Sequence, residues 1–354
     1  SAPHTVAVHG GEPRRHPEAA MTAPIVQTAT HNFEATAELR DFFEGRTERT
    51  EEYGRYGNPT VRMFEERIAM LEGAEDAFAT ASGMAAVSAA LISMLKAGDH
   101  VVSSKALFGS CLYILEEILT RYGVEVTFVE GTDIAAWKAA VRPDTKACFL
   151  ESISNPTLEV IDLKAVSEVA HAVGALVVVD NVFATPVFQR SLELGADVII
   201  YSATKHIDGQ GRVLGGVVLG TKDFIRKTLE PYLKHTGGAM SPFTAWVLLK
   251  GMETLDLRCH AQADSALALA QALEGHAKVT KVLYPQLDSH PQNALAMRQM
   301  TKGGTVLSIE IDGGQEAAFA FLNALKIYTI SNNLGDAKSI VTHPATTTHQ
   351  RLSD

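Results

Sequence analysis

One lysine, Lys205, closes the apolar run DVIIYSAT and stands among Ser202, Thr204, His206 and a series of glycines in YSATKHIDGQGRVLGG, Tyr201 to Gly216. A lysine amine can form a Schiff base with an aldehyde, and a carboxylate can hold a pyridinium nitrogen protonated. Such a carboxylate, Asp180, ends the run ALVVVD 25 positions earlier. Ser82, Gly83 and Met84 stand where a loop enters a helix, and the free N–H groups and dipole of a helix start suit an anion. Ser202 and Thr204 add hydroxyls beside the lysine. Taken singly, a lysine is most often solvated and an aspartate at a strand end most often caps a turn. Together, an amine, a carboxylate and a phosphate cradle describe a site for pyridoxal phosphate.

These groups can meet only if the elements carrying them lie side by side. DHVVSS, VEVTFVE, KACFLES, ALVVVDN, DVIIYSAT and GGVVLG read as strands, and SCLYILEEILTRYG and DLKAVSEVAHAVG as helices between them. Near-continuous β-branched runs separated by helices signal a mostly parallel sheet covered on both faces; the expected fold is α/β. Ligands of such sheets sit outside the carboxyl ends of the strands, where Asp180, Asn155 and Lys205 all fall. TVRMFEERIAML reads as a helix with Val61, Phe64, Ile68 and Leu71 on one side and Thr60 as its cap, and ASGMAAVSAALISML as a second, largely buried one. After YLKHTGGAMSPF a long helix spans about 244–273, and a smaller α+β region follows, with GGTVLSIEID a strand and GQEAAFAFLNAL a helix. The chain divides into residues 1–57, polar and irregular, a disordered tail or an arm packing on another subunit; 58–245, the large domain; and 246–354, a small domain.

Composition narrows the partners. With 354 residues, 46% hydrophobic and 20% charged, the chain can bury a large core. Its net charge of −10 argues against nucleic acid. It has no run of 18 apolar residues, which argues against a membrane, and no secretory pattern at SAPHTVAVHGG. Cys111, Cys148 and Cys259 are too sparse for a disulfide frame or zinc site and point to a reducing compartment, the cytoplasm. No HExxH or CxxC occurs, and His343 and His349 in THPATTTH read as part of a turn-rich loop, so no metal is expected. His206 reads as a structural hydrogen-bonder, Cys111 as core, and Gly209, Gly211, Gly215 and Gly216 as loop and packing glycines.

VVVDN followed by SATKHIDG, with YGRYGNPT (Tyr53 to Thr60), ASGMAA (Ala81 to Ala86) and ESISNPT (Glu151 to Thr157), resembles the Cys/Met-metabolism family of pyridoxal-phosphate enzymes, of the aspartate-aminotransferase-like fold. The likeness runs in order through nearly the whole chain. It implies an α/β fold with a mostly parallel seven-stranded sheet, pyridoxal 5′-phosphate as cofactor, Lys205 as the residue that binds it covalently and shuttles protons, and Asp180 as the partner of its pyridine nitrogen. It further implies Gly83, Met84, Ser202 and Thr204 at the phosphate, Tyr53 and Arg55 reaching that phosphate from a neighbouring subunit, and Asn155 near the phenolic oxygen. A homo-oligomer, a tetramer built as a dimer of dimers, follows.

Within the family, KHIDGQGRVLGG most resembles the members that act on O-succinyl-L-homoserine with sulfide to give homocysteine and succinate; the alternatives are cystathionine γ-synthesis and γ-elimination from methionine or cystathionine. Three departures stand out. Phe108 occupies the place of a common tyrosine, so it can stack on the cofactor without a hydroxyl. Asn333, in NNLGD, replaces a serine near the substrate. The sequence stops at HQRLSD, where the family continues to an arginine that binds the substrate carboxylate; Arg351 precedes that motif, and a longer native chain is the expectation.

Overall fold

The structure, a computed structural model, describes residues 2–47 and 52–348; His349 and Arg351 lie outside them. Its centre is a seven-stranded sheet of β1 (Asp76–Thr80), β2 (His100–Ser104), β3 (Glu125–Val129), β4 (Thr145–Glu151), β5 (Leu176–Asp180), β6 (Val198–Ser202) and β7 (Gly216–Gly220), in the order β1-β7-β6-β5-β4-β2-β3. The β6-β5-β4-β2-β3 neighbours are parallel, and β7 runs antiparallel to both β6 and β1. The six strand runs read from the sequence are all present. The seventh, β1, is the short DAFAT, whose alanines carry little strand signal; it is selected by pairing with β7.

Side chains of each strand alternate between two cores. Cys148, Leu150, Val177, Val179 and Ile199 enter one, while Ala147, Phe149, Val178, Val198 and Ile200 enter the other. Because both faces are covered, the strand sequences are apolar throughout rather than alternating. The Pro59–Glu72 helix covers the first face with Phe64 and Ile68 fully buried, worth about 1.5–3 kcal/mol each. Its cap is Asn58, not Thr60: Asn58 Oδ1 accepts from the N–H groups of Thr60 and Val61 at 2.9 and 3.3 Å. Pro59 at the first helical position supplies the helical φ without needing a hydrogen bond. The Thr60 hydroxyl instead donates to Pro24 O at 3.0 Å.

The expected long helix over 244–273 is two helices, Pro242–Met252 and Leu255–Glu274. Arg258 holds the break, donating to Gly251 O at 2.7 Å and to Thr254 Oγ1 at 3.1 Å. Residue 245 lies inside the first of the two, whose Ala245, Leu248, Leu249 and Met252 join the main core. Beyond them, β8 (Val279–Leu283) pairs antiparallel with β9 (Ser308–Ile311), the Gly314–Ala324 helix follows, and β10 (Thr329–Ile330) pairs parallel with β11 (Ile340–Val341).

The start of the chain packs on its own body. A Pro3–His9 helix buries Val6 and Ala7, and the fully buried Arg67 guanidinium donates to Gly10 O at 2.8 Å and Leu249 O at 3.1 Å while pairing with Glu12. The Thr36–Phe43 helix, by contrast, buries no residue.

Candidate active site

The parallel register brings Glu151 beside Asp180 and Asp180 beside Ile200, so β4 and β5 end at one level and β6 runs two residues past it to Ser202. Past β6 the chain turns tightly: Lys205 N donates to Ser202 O at 3.2 Å, Asp208 N to Ala203 O at 3.0 Å and Gly209 N to Lys205 O at 2.8 Å. Lys205 thereby stands above the strand ends and lines a cavity of about 1800 Å³. Ser82, Gly83, Met84, Phe108, Asn155, Asp180, Ser202, Thr204 and Asn333 line the same cavity. Ten of the expected site residues, Lys205 included, thus meet there or at its edge.

The anion end of the cavity is the start of the Gly83–Met94 helix. Ser82 caps it, its Oγ accepting from Ala85 N at 3.1 Å and its carbonyl from Ala86 N at 3.1 Å. The first N–H groups of a helix have no partner within it, so those of Gly83 and Met84 remain for a ligand. A Cβ on Gly83 would lie 2.6 Å from Ser202 Cβ, and one on Gly216 would lie 2.1 Å from Ser82 O. The two glycines therefore let β7, the Ser202 turn and the helix start converge. The Thr204 hydroxyl accepts from Gly215 N at 3.1 Å, which fixes the loop that returns to β7.

Burial lowers the Lys205 ammonium, with Asp180 opposing it. Its Nζ donates to Asn333 Oδ1 at 2.7 Å. Asp180 Oδ1 accepts from Val182 N at 3.0 Å, but burial dominates and holds this carboxyl above its usual range. His206 is neutral: burial pushes it down to about 3, and its Nε2 meets Thr305 Oγ1 at 2.6 Å. It works as a linker between loops. His343 Nδ1 likewise meets Thr346 Oγ1 at 2.9 Å.

Tyr53 and Arg55 do not join the cavity of their own chain. The Arg55 guanidinium lies 5.3 and 4.9 Å from the ring centres of Tyr53 and Tyr56 and donates to Lys234 O. Sequence reasoning assigned no role to Glu151, which is buried beside Asp180 and accepts from Phe108 N at 2.6 Å and Asn155 N at 3.1 Å. Its signal was present: KACFLES ends a buried strand on a carboxylate, as ALVVVDN does.

The amine, the carboxylate and the glycine-floored helix start suit an aldehyde, a ring nitrogen and a phosphate respectively, so the residues fit pyridoxal phosphate. The model of the Cys/Met metabolism PLP-dependent enzymes matches residues 4–354. An O-succinylhomoserine sulfhydrylase of Mycobacterium tuberculosis (strain ATCC 25618 / H37Rv) is 49% identical over 352 residues, covering 98% of this chain and 86% of its own. One from Pseudomonas aeruginosa is 47% identical over 349 residues, covering 99% and 86%. A cystathionine gamma synthase from Xanthomonas oryzae pv. oryzae, solved with aminoacrylate and cysteine, superposes with a TM-score of 0.94 at 34% identity, over 100% of this chain and 89% of that one.

Proposed function

The chain belongs to the Cys/Met metabolism family of PLP-dependent enzymes, and on that premise we propose that it exchanges the γ-acyloxy group of O-succinyl-L-homoserine for sulfide. Hydrosulfide forms the new C–S bond at Cγ, the C–O bond breaks, and succinate leaves with the electron pair, giving homocysteine. The observation that carries the reading is the near-half identity to two O-succinylhomoserine sulfhydrylases over almost the entire chain. The cavity chemistry agrees with it.

When bound, pyridoxal phosphate supplies an aldehyde carbon for the substrate amine and a ring that accepts electrons from Cα. The protein supplies the rest. The helix start at Gly83 and Met84 and the Ser202 hydroxyl anchor the phosphate. Asp180 holds a proton on the ring nitrogen. Lys205 Nζ, lowered by burial, takes the proton from Cα, moves the one at Cβ and returns them, a task for which an amine with a lowered pKa is suited. Asn333 orients that Nζ between transfers, and Phe108 closes one wall without a hydroxyl that could compete as a base. Residues 58–245 form the cofactor-holding part, and 246–354 bring the Asn333 wall.

Tyr53 and Arg55 complete a neighbour's phosphate site in a homo-oligomer, a tetramer made of two such dimers. What supports this is their position outside their own cavity, together with a Thr36–Phe43 helix that buries none of its residues against the described residues of the chain. Three buried, unpaired cysteines suit the reducing cytoplasm.

Product analysis tests the reaction. With sulfide, cysteine and water as acceptors at matched concentration, homocysteine and succinate should dominate. One unfilled pocket is worth only about 1–3 kcal/mol, or 10–200-fold, so side products are expected. If cystathionine dominates, the enzyme is a γ-synthase; if 2-oxobutanoate and ammonia dominate with sulfide present, it is a γ-lyase. Replacing the succinyl ester by the acetyl ester should lower kcat/KM.

A further inference from the structure

Glu151 ends β4 as the register partner of Asp180 and is 4% exposed. Its two oxygens are used separately. Oε1 accepts from the N–H of Phe108, in the loop after β2, and Oε2 from that of Asn155, in the loop after β4. One carboxyl therefore ties two cavity walls to the end of β4, beside the Asp180 end of β5. Cys111 lies one turn into the helix that Phe108 opens, and its Sγ and an oxygen of each carboxylate lie within 4.8 Å of one another. Burial keeps this thiol protonated, so it adds no charge. Lys205 faces the pair from the turn after β6, with His206 beside it, and Tyr201 on β6 is the remaining titratable neighbour.

Two buried carboxyls at this separation cannot both ionise without a large cost. A pyridinium facing Asp180 would settle which one does. Asp180 carries the charge that pairs with the ring, and Glu151 keeps the proton, still accepting both N–H bonds through its remaining lone pairs. Resting on the cofactor reading above, we propose that Glu151 is a positioning residue of the active site: it fixes the Phe108 and Asn155 walls and, by remaining neutral, leaves Asp180 as the one ionised carboxylate.

The test uses the chain freed of cofactor and titrated with pyridoxal 5′-phosphate, for wild type, Glu151→Ala and Glu151→Gln. Two quantities are read: the cofactor dissociation constant, and the pH at which the absorbance of the bound cofactor changes. Glu151→Ala orphans two buried N–H groups and should weaken binding by roughly tenfold or more. Glu151→Gln, a neutral group of the same shape, keeps one of the two acceptor oxygens; it should recover part of that loss and leave the pH midpoint in place. Wild-type-like binding by Glu151→Ala would overturn the proposal. So would a midpoint displaced in Glu151→Gln by about 1–3 units, the effect of deleting a charge at this range. If Glu151→Ala does not fold, the Glu151→Gln midpoint decides alone. Failure of the wild type to bind the cofactor would instead remove the functional reading on which the proposal rests.

Discussion

Lys205 Nζ donates to Asn333 Oδ1 at 2.7 Å, joining the turn after β6 to the loop between β10 and β11. The amine expected to move protons is thus held by a side chain 128 positions away. Asn333→Ala should leave cofactor attachment intact and lower kcat/KM by about tenfold, the worth of one hydrogen bond at a reacting group. Asn333→Ser, which retains a hydroxyl, should lose less. Steady-state rates with O-succinyl-L-homoserine and sulfide measure both.

Lys205→Ala removes the amine itself. Borohydride treatment followed by intact mass should find no cofactor fixed to the chain, and turnover should fall by about 10²–10⁴-fold or more, the range of general acid–base catalysis. A borohydride-fixed adduct in the variant would assign covalent attachment to another residue.

Gly83→Ala asks whether the anion cradle depends on close approach. An alanine is about 1 kcal/mol better than glycine within a helix, yet its Cβ would sit 2.6 Å from Ser202 Cβ and 3.0 Å from Ser202 Cα. Overpacking of this kind costs about 1–3 kcal/mol. The cofactor dissociation constant should rise roughly tenfold or more, measured by titration of the cofactor-free protein.

Arg55→Ala and Lys205→Ala proteins should each be impaired. Mixed and allowed to exchange subunits, they should regain part of the activity, because a hybrid dimer holds one site with both an intact lysine and an intact neighbour's arginine. Full activity of a monomer in sedimentation would disprove the shared site.

Stability should carry a signature of Glu72. Burial pushes this carboxyl up to about 7 from 4.5, although it accepts from Tyr201 Oη and, at 2.9 Å, from Ser191 N. A group whose pKa is raised on folding binds its proton more tightly in the folded state. Its contribution is therefore complete below pH 4.5 and is lost as pH rises through 7. Glu72→Gln, neutral at every pH, should flatten the stability profile between pH 4.5 and 7 by an amount on the order of a few kcal/mol. Urea unfolding across that range compares the two proteins.

Much of the fold was legible because its signals are local. The apolar run of β4 and the β-branched runs of β5 and β6 read as covered strands, and Ser82-Gly83-Met84 announced a helix start. The same locality misled at Thr60, where the hydroxyl suggested a cap that Asn58 provides, and over 244–273, where continuous helical periodicity hid the break at Glu253–Thr254 that Arg258 clamps. β1 was silent because DAFAT has no strand character of its own and exists through its pairing with β7.

The sequence alone pointed to ten of the residues that line the cavity. Lysine, aspartate, hydroxyls and glycines at strand ends and a helix start have few joint uses, and their motifs occur in family order. Only the tertiary structure decided what holds those groups. It put Asn333 on the lysine amine, set Glu151 against Asp180 with Phe108 and Asn155 bound to it, and kept Tyr53 and Arg55 out of their own chain's cavity. The reason is physical: a side chain's identity is written at one position, but its pKa and orientation are set by burial and by hydrogen-bond partners that parallel strand register and loop packing bring from distant parts of the chain.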